Sequence, residues 1–159
     1  MKSEVLVERN REDGNALALS SGNFRLVREF ERLFEWVRLE ASLIRNNCAC
    51  IEIHRQSLRT LGETEERLSE VEHWRDSSMF TGREKAALSL SEAISLNEIE
   101  ELSELSVLLL KNARRYFSAE EIVRLTLIIT TINDWIDFHE KRNIDRTRIS
   151  RSPVQLTQR

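Results

Sequence analysis

Apolar residues recur at helical spacing from about Phe24 to Arg45, where Leu26, Phe30, Leu33, Phe34, Val37, Ala41 and Ile44 form one broad stripe. Asn46-Asn47 interrupts it, since asparagine tolerates left-handed backbone and favours helix caps. The pattern then predicts a second helix from Asn47 to Leu61, stopped by Gly62. Thr64 is placed to cap a third, carrying Leu68, Val71 and Trp74. Thr81-Gly-Arg-Glu84 spells a capping box and opens a fourth helix through Ile94. A fifth, roughly Glu98 to Tyr116, holds Leu102, Leu105, Leu108, Leu109 and Leu110. Ser118-Ala-Glu-Glu121 is a second capping box, ahead of the run IVRLTLIITTINDWIDF. That run is rich in β-branched residues, yet its length and cap favour helix over strand. Apolar residues nearly all round it point to burial at a centre or at a subunit interface.

With four Gly and one Pro in 159 residues, little interrupts these helices, and the fold class expected is all-α: a single-domain bundle of about six helices. Residues 1–21 mix charge with little periodicity and read as a loose lead-in. Residues 141–159 carry Lys141, Arg142, Arg146, Arg148, Arg151 and Arg159 against Asp145, and read as a flexible, solvated basic tail. The net charge of −3 argues against nucleic acid or an anionic membrane as partner, because both are bound through a basic excess. No apolar run reaches signal-peptide length at the N-terminus or the roughly 20 residues of a membrane span. The expected location is cytoplasmic. Two cysteines one residue apart make no disulfide framework, so they are buried thiols or redox chemistry.

Candidate chemistry lies between Glu35 and His54. Cys50 and His54, four apart, share a helix face, and Cys50 sits in the first turn after the Asn break, where the positive helix end favours a thiolate. An imidazole at that distance can take the thiol proton, and a carboxylate from the preceding helix can orient the imidazole or relay the proton. The plainer reading stands beside it: a buried Cys often serves as a small hydrophobe, and a Cys and a His four apart on a helix also arise by chance. Metal binding finds no support. Cys48, Cys50 and His54 match no zinc-site spacing, and His73 and His139 are isolated, as surface or packing residues.

The segment resembles the motif Glu-x11-Cys-x2-Cys-x3-His of the alkylhydroperoxidase D–like (AhpD-like), or carboxymuconolactone decarboxylase, family. Without a gap, the motif's Glu falls on Glu35, its second Cys on Cys50 and its His on His54. Ala41-Ser42 and Ile51-Glu52-Ile53-His54 resemble the flanking residues. So, further on, do the segment from Leu61 to Leu68, Trp74-Arg75, Phe80-Thr81 with Arg83-Glu84, and Ile132-Asn133-x-Trp135. The likeness spans about residues 22–140. It implies an AhpD-like helical domain there and a thiol-dependent hydroperoxide reductase, with Cys50 attacking the peroxide and Glu35 and His54 relaying the proton. It also implies a thiol reductant or reductase partner, no metal or organic cofactor, and a homo-oligomer, a trimer or a multiple of it.

Asn47 stands where the family has its first, resolving Cys, and the second thiol is displaced to Cys48. On a regular helix Cys48 and Cys50 point about 200° apart, so a bridge between them is strained unless the turn unwinds. Cys48 is thus a resolving thiol only in a distorted turn. Two alternatives follow: a member that keeps the fold and acts in binding or assembly, or a non-redox enzyme using His54 and Glu35 on a small organic acid. Glu40, where the family often has Arg, and Ile136-Asp137, where it commonly has Asn-Arg, are expected to alter charge near the pocket or an interface. Trp74, Trp135 and Asn133 are expected in core packing and a buried hydrogen bond.

Overall fold

The computed structural model describes residues 27–96 and 104–150, apart from the side chains of Leu105 and of 143–150. Every regular element among them is helical: α1 (27–44), α2 (Cys48–Thr60), α3 (Glu65–Ser69), a 3-10 turn (Glu70–His73), α4 (Gly82–Ser95), α5 (Glu104–Ala113) and α6 (Ala119–Ser150). The chain is the all-α single-domain bundle that its pattern predicts. The lead-in 1–21, the start expected at Phe24, the opening of the fifth helix at Glu98 and the residues 151–159 lie outside the described residues. Helical backbone continues past residue 140 to Ser150.

The caps act as their residue types demand. Asn46 takes a left-handed φ of 51°. Its N–H donates to Leu43 O and that of Asn47 to Ser42 O, a Schellman closure of α1 with Asn in the usual Gly place. Gly62, at φ 93°, ends α2. Thr64 caps α3, and the Thr81–Glu84 capping box opens α4 with both reciprocal bonds, 3.2 Å and 2.8 Å. Ser118 and Glu121 do the same for α6. Thr81→Ala removes an acceptor that no neighbour replaces. It should cost about 1 kcal/mol, read as a lower urea midpoint at unchanged slope.

The third element departs from expectation. Only Glu65–Ser69 is α-helix, and the chain then tightens into the 3-10 turn with Trp74 as its C-cap. The spacing explains it. Leu68, Val71 and Trp74 are each three apart, which three residues per turn stacks on one side, and all three are buried.

Three buried clusters meet on α1. Leu33 and Val37 pack with α4 and with Leu125 and Ile129 of α6. Trp36 and Leu39 pack with Leu58, Leu68, Val71, Trp74, Phe80 and Leu88. Ala41 packs with Cys50, Ile132 and Ile136. The central helix is therefore α1, whereas α6 buries one face only. Ile122, Leu125, Ile129, Ile132 and Ile136 point inward at alternating spacings of three and four. Val123, Leu127, Trp135 and Phe138 remain 57, 60, 54 and 53 % exposed.

Candidate active site

The corner between α1 and α2 sets the geometry. Asn47, extended at φ −94° and ψ 94°, is the N-cap of α2, and its Oδ1 accepts the Cys50 N–H at 3.1 Å. Asn46 thus stops one helix and Asn47 starts the next without a spacer. Two helices folded back this tightly bring residue 35 of the first against residue 54 of the second. Arg45 and Asp137 form an ion pair that ties this corner to α6.

Glu35 Oε2 and His54 Nδ1 lie 2.8 Å apart, and Glu35 Oε1 accepts from Arg38 Nη1 at 2.5 Å. Burial by itself raises the Glu35 carboxyl, but the hydrogen bonds and charges of His54 and Arg38 outweigh it and hold the group below its ordinary value of 4.5. An ionised carboxylate only accepts, so Nδ1 carries the ring proton and donates. Nε2 makes no hydrogen bond among the described residues. His54 is 8 % exposed and Cys50 6 %.

Cys50 and His54 line one cleft of about 470 Å³. Ile53 adds to the α2 wall, Arg38 comes from α1, and the opposite wall is α6, with Leu127, Ile128, Thr131, Ile132 and Trp135. Glu35 faces a second cleft, of about 500 Å³, on the other side of the pair, and Arg38 borders both. Three of the four residues singled out in the sequence, Glu35, Cys50 and His54, are therefore brought together. Cys48 is a free thiol on the exposed side of the turn and does not line the cleft.

Several expectations are corrected here. Burial pushes the Cys50 thiol above its ordinary value of 9.0, so the helix end does not make it a resting thiolate. Glu40 faces neither the cleft nor an outer surface. It is 6 % exposed and accepts the Trp74 indole N–H at 3.0 Å. Burial raises its carboxyl against that bond. Trp74 is a core residue as expected, and Asn133 Nδ2 donates to Ser95 Oγ at 3.1 Å. Trp135 is not in the core: it stands at the cleft rim, its ring 4.2 Å from that of His139. Arg38 went unnoticed in the sequence, although its place three residues after Glu35 puts both on one face of α1.

A model of the carboxymuconolactone decarboxylase family matches residues 31–93, the stretch that holds Glu35, Arg38, Cys50 and His54. The uncharacterized protein YdfG of Bacillus subtilis (strain 168) is 35% identical over 102 residues, 64% of this chain and 67% of that one. This chain belongs to the carboxymuconolactone decarboxylase family. Its fold is also that of a crystal structure from Agrobacterium tumefaciens, of a protein of unknown function described as a candidate antioxidant defence protein AhpD. The two superpose with a TM-score of 0.62 at 25% identity, over 91% of this chain and 93% of the other. Asn47, where the resemblance puts the first Cys of the motif, is the N-cap of α2. No helix among the described residues is long and apolar enough to cross a membrane.

Proposed function

We propose that this protein is a thiol-dependent hydroperoxide reductase in which Cys50 attacks the peroxide and His54 with Glu35 relays the proton. The 2.8 Å bond between Glu35 and His54, set beside Cys50 on the wall of one cleft, carries this reading. The Cys50 thiol gives its proton to His54 Nε2, and the sulfur attacks the terminal oxygen of ROOH. The O–O bond breaks, Cys50 becomes a sulfenic acid, and the alkoxide takes the proton from His54 and leaves as ROH. A reductant thiol then condenses with the sulfenic acid, releasing water and forming a mixed disulfide. A second thiol restores Cys50 and leaves the reductant as its disulfide. Two electrons and two protons from the thiols are thereby recovered in ROH and water. The exposure of Cys48 supports resolution by an external thiol or a reductase partner.

The apolar outer face of α6 supports self-association, to the trimer or multiple that the family resemblance implies, with Leu127 and Trp135 at the contact and at the cleft mouth. A non-redox reading has one observation in its favour. The raised Cys50 thiol leaves His54 and Glu35 a complete acid–base pair without it.

The test is to expose reduced protein to stoichiometric organic hydroperoxide and follow the mass of the peptide that holds both cysteines. Oxidation is expected in the wild type and in Cys48→Ser, and lost in Cys50→Ser. A Cys50 inert at millimolar peroxide overturns the peroxidase reading and leaves the pair to acid–base work on an organic acid.

A further inference from the structure

Arg38 is the cleft's single lining side chain with a fixed charge. Its Nη1 is engaged by Glu35, and among the described residues no acceptor meets its other N–H groups. A guanidinium presents five donors in a rigid fork, so an edge remains for a second carboxylate after Glu35 has taken its bond. The side chain is 34 % exposed, which leaves that edge reachable from the cleft.

The rest of the lining offers little to a polar ligand. Thr131 spends its hydroxyl proton on Leu127 O at 2.6 Å. Ile53, at 59 % exposure, faces Leu127 and Trp135 across the mouth, and Ile128 and Ile132 stand deeper. Apolar walls, one cation with donors to spare and a reactive sulfur describe a ligand in three parts: an apolar body, an anionic head and a reacting group that reaches Cys50. Small sites of this kind draw affinity from the walls and orientation from the few polar groups.

A guanidinium that served only to hold Glu35 ionised would do so equally well turned away from the cleft. Arg38 borders both clefts, so it holds Glu35 on one side and faces the ligand space on the other. The Glu35 charge also sets an order on that space. An anion is repelled from the carboxylate side and drawn to the outward edge of Arg38, which keeps the head group off the relay and leaves His54 Nε2 to the reacting group.

We infer that Arg38 anchors a carboxylate, and that the hydroperoxide taken by this cleft is an amphipathic acid, of the class of fatty-acid hydroperoxides. The inference rests on the peroxidase reading for its reacting group, but its binding half is separable. The binding probes are decanoate and its methyl ester, titrated with reduced protein and followed by tryptophan fluorescence, since Trp135 lines the mouth. Wild type should bind the acid at least about tenfold more tightly than the ester, the worth of one charge-assisted hydrogen bond. Arg38→Met should bring the two together, and Arg38→Lys should restore part of the preference. Equal affinity for acid and ester in the wild type overturns the inference without recourse to any variant. The reaction probes are linoleic acid hydroperoxide and its methyl ester, with the mass of Cys50 as readout and a faster reaction of the acid expected. Acid preference in binding with an inert Cys50 means that the anchor stands and the peroxidase reading falls. Oxidation of Cys50 at equal rates by acid and ester, unaffected by Arg38→Met, means the reverse.

Discussion

His54→Gln should slow the oxidation of Cys50 by hydroperoxide about 10²–10⁴-fold at neutral pH, the range in which a positioned general base contributes. The size follows from the state of the thiol. Burial holds the Cys50 thiol above its ordinary value of 9.0, so at neutral pH the sulfur keeps its proton unless a neighbour takes it. Glutamine can replace the contact with Glu35 but cannot accept and return a proton. Without the base, the rate depends on the thiolate formed by titration alone, and it should climb about tenfold per pH unit until the thiol ionises. The wild type, with the proton carried by His54, should rise less steeply, and the two curves should converge above pH 9.0. On the acid side, the Glu35 carboxyl is depressed below 4.5. The stability gained from its bonds to His54 and Arg38 is therefore fully present above that value and lost as pH falls through the folded one. Rapid-mixing measurement of Cys50 oxidation across pH for both proteins decides the matter. A variant equal to the wild type at pH 7, or a deficit that stays constant with pH, would falsify the relay.

The features that sequence reading located are those fixed by neighbours in the chain. Asn46, Asn47, Gly62, Thr64, Thr81 and Ser118 each act on backbone groups within a few residues, so their types declare the helix ends. The spacings from Glu35 to Cys50 and from Cys50 to His54 are likewise legible, because one spans a tight corner and the other a single turn. What periodicity misses is what lies beyond a helix's own face. The stripe on α1 leaves out Trp36, Leu39, Glu40 and Ser42, yet all four are buried. Glu40 and Ser42 satisfy their polar atoms through Trp74 and the Arg38 carbonyl. A helix buried all round can therefore carry polar residues that make it read as amphipathic. The opposite happens in α6, where apolar residues on both faces suggest a central helix and only one face finds a partner within the chain. The state of Cys50 was hidden for a similar reason. Its place at a helix start is local and favours the thiolate, but its burial depends on Ala41, Ile132 and Ile136, which come from two other helices.

Asn47→Cys, made in a Cys48→Ser background, should turn a one-thiol centre into one that closes its own disulfide. The N-cap side chain already reaches over the first turn of α2: Asn47 Oδ1 meets the backbone N–H of Cys50 at 3.1 Å. A thiol at that position lies on the side of the turn where residue 50 sits, whereas Cys48 is exposed. After peroxide has made the Cys50 sulfenic acid, the introduced thiol should condense with it, expelling water and leaving a peptide lighter by two hydrogens than the reduced form. The exchange has a cost. Cysteine is a poor cap, and loss of the Asn47 acceptor should lower stability by about 0.5–2 kcal/mol. Chemical denaturation of the reduced variant would show it as a lower midpoint. The functional gain should be larger than that loss. Resolution within the turn does not wait for an external thiol to reach a cysteine that is 6 % exposed, so peroxide consumption with a dithiol reductant should become independent of small-thiol concentration. A variant that still accumulates sulfenic acid or a mixed disulfide at Cys50 would mean that the corner is too rigid to let the two sulfurs meet. The left-handed Asn46 and the Arg45–Asp137 ion pair would then be what holds the centre to a single thiol. Adding Asp137→Ala to release the corner from α6 separates the two cases: closure should appear only then if rigidity is the obstacle.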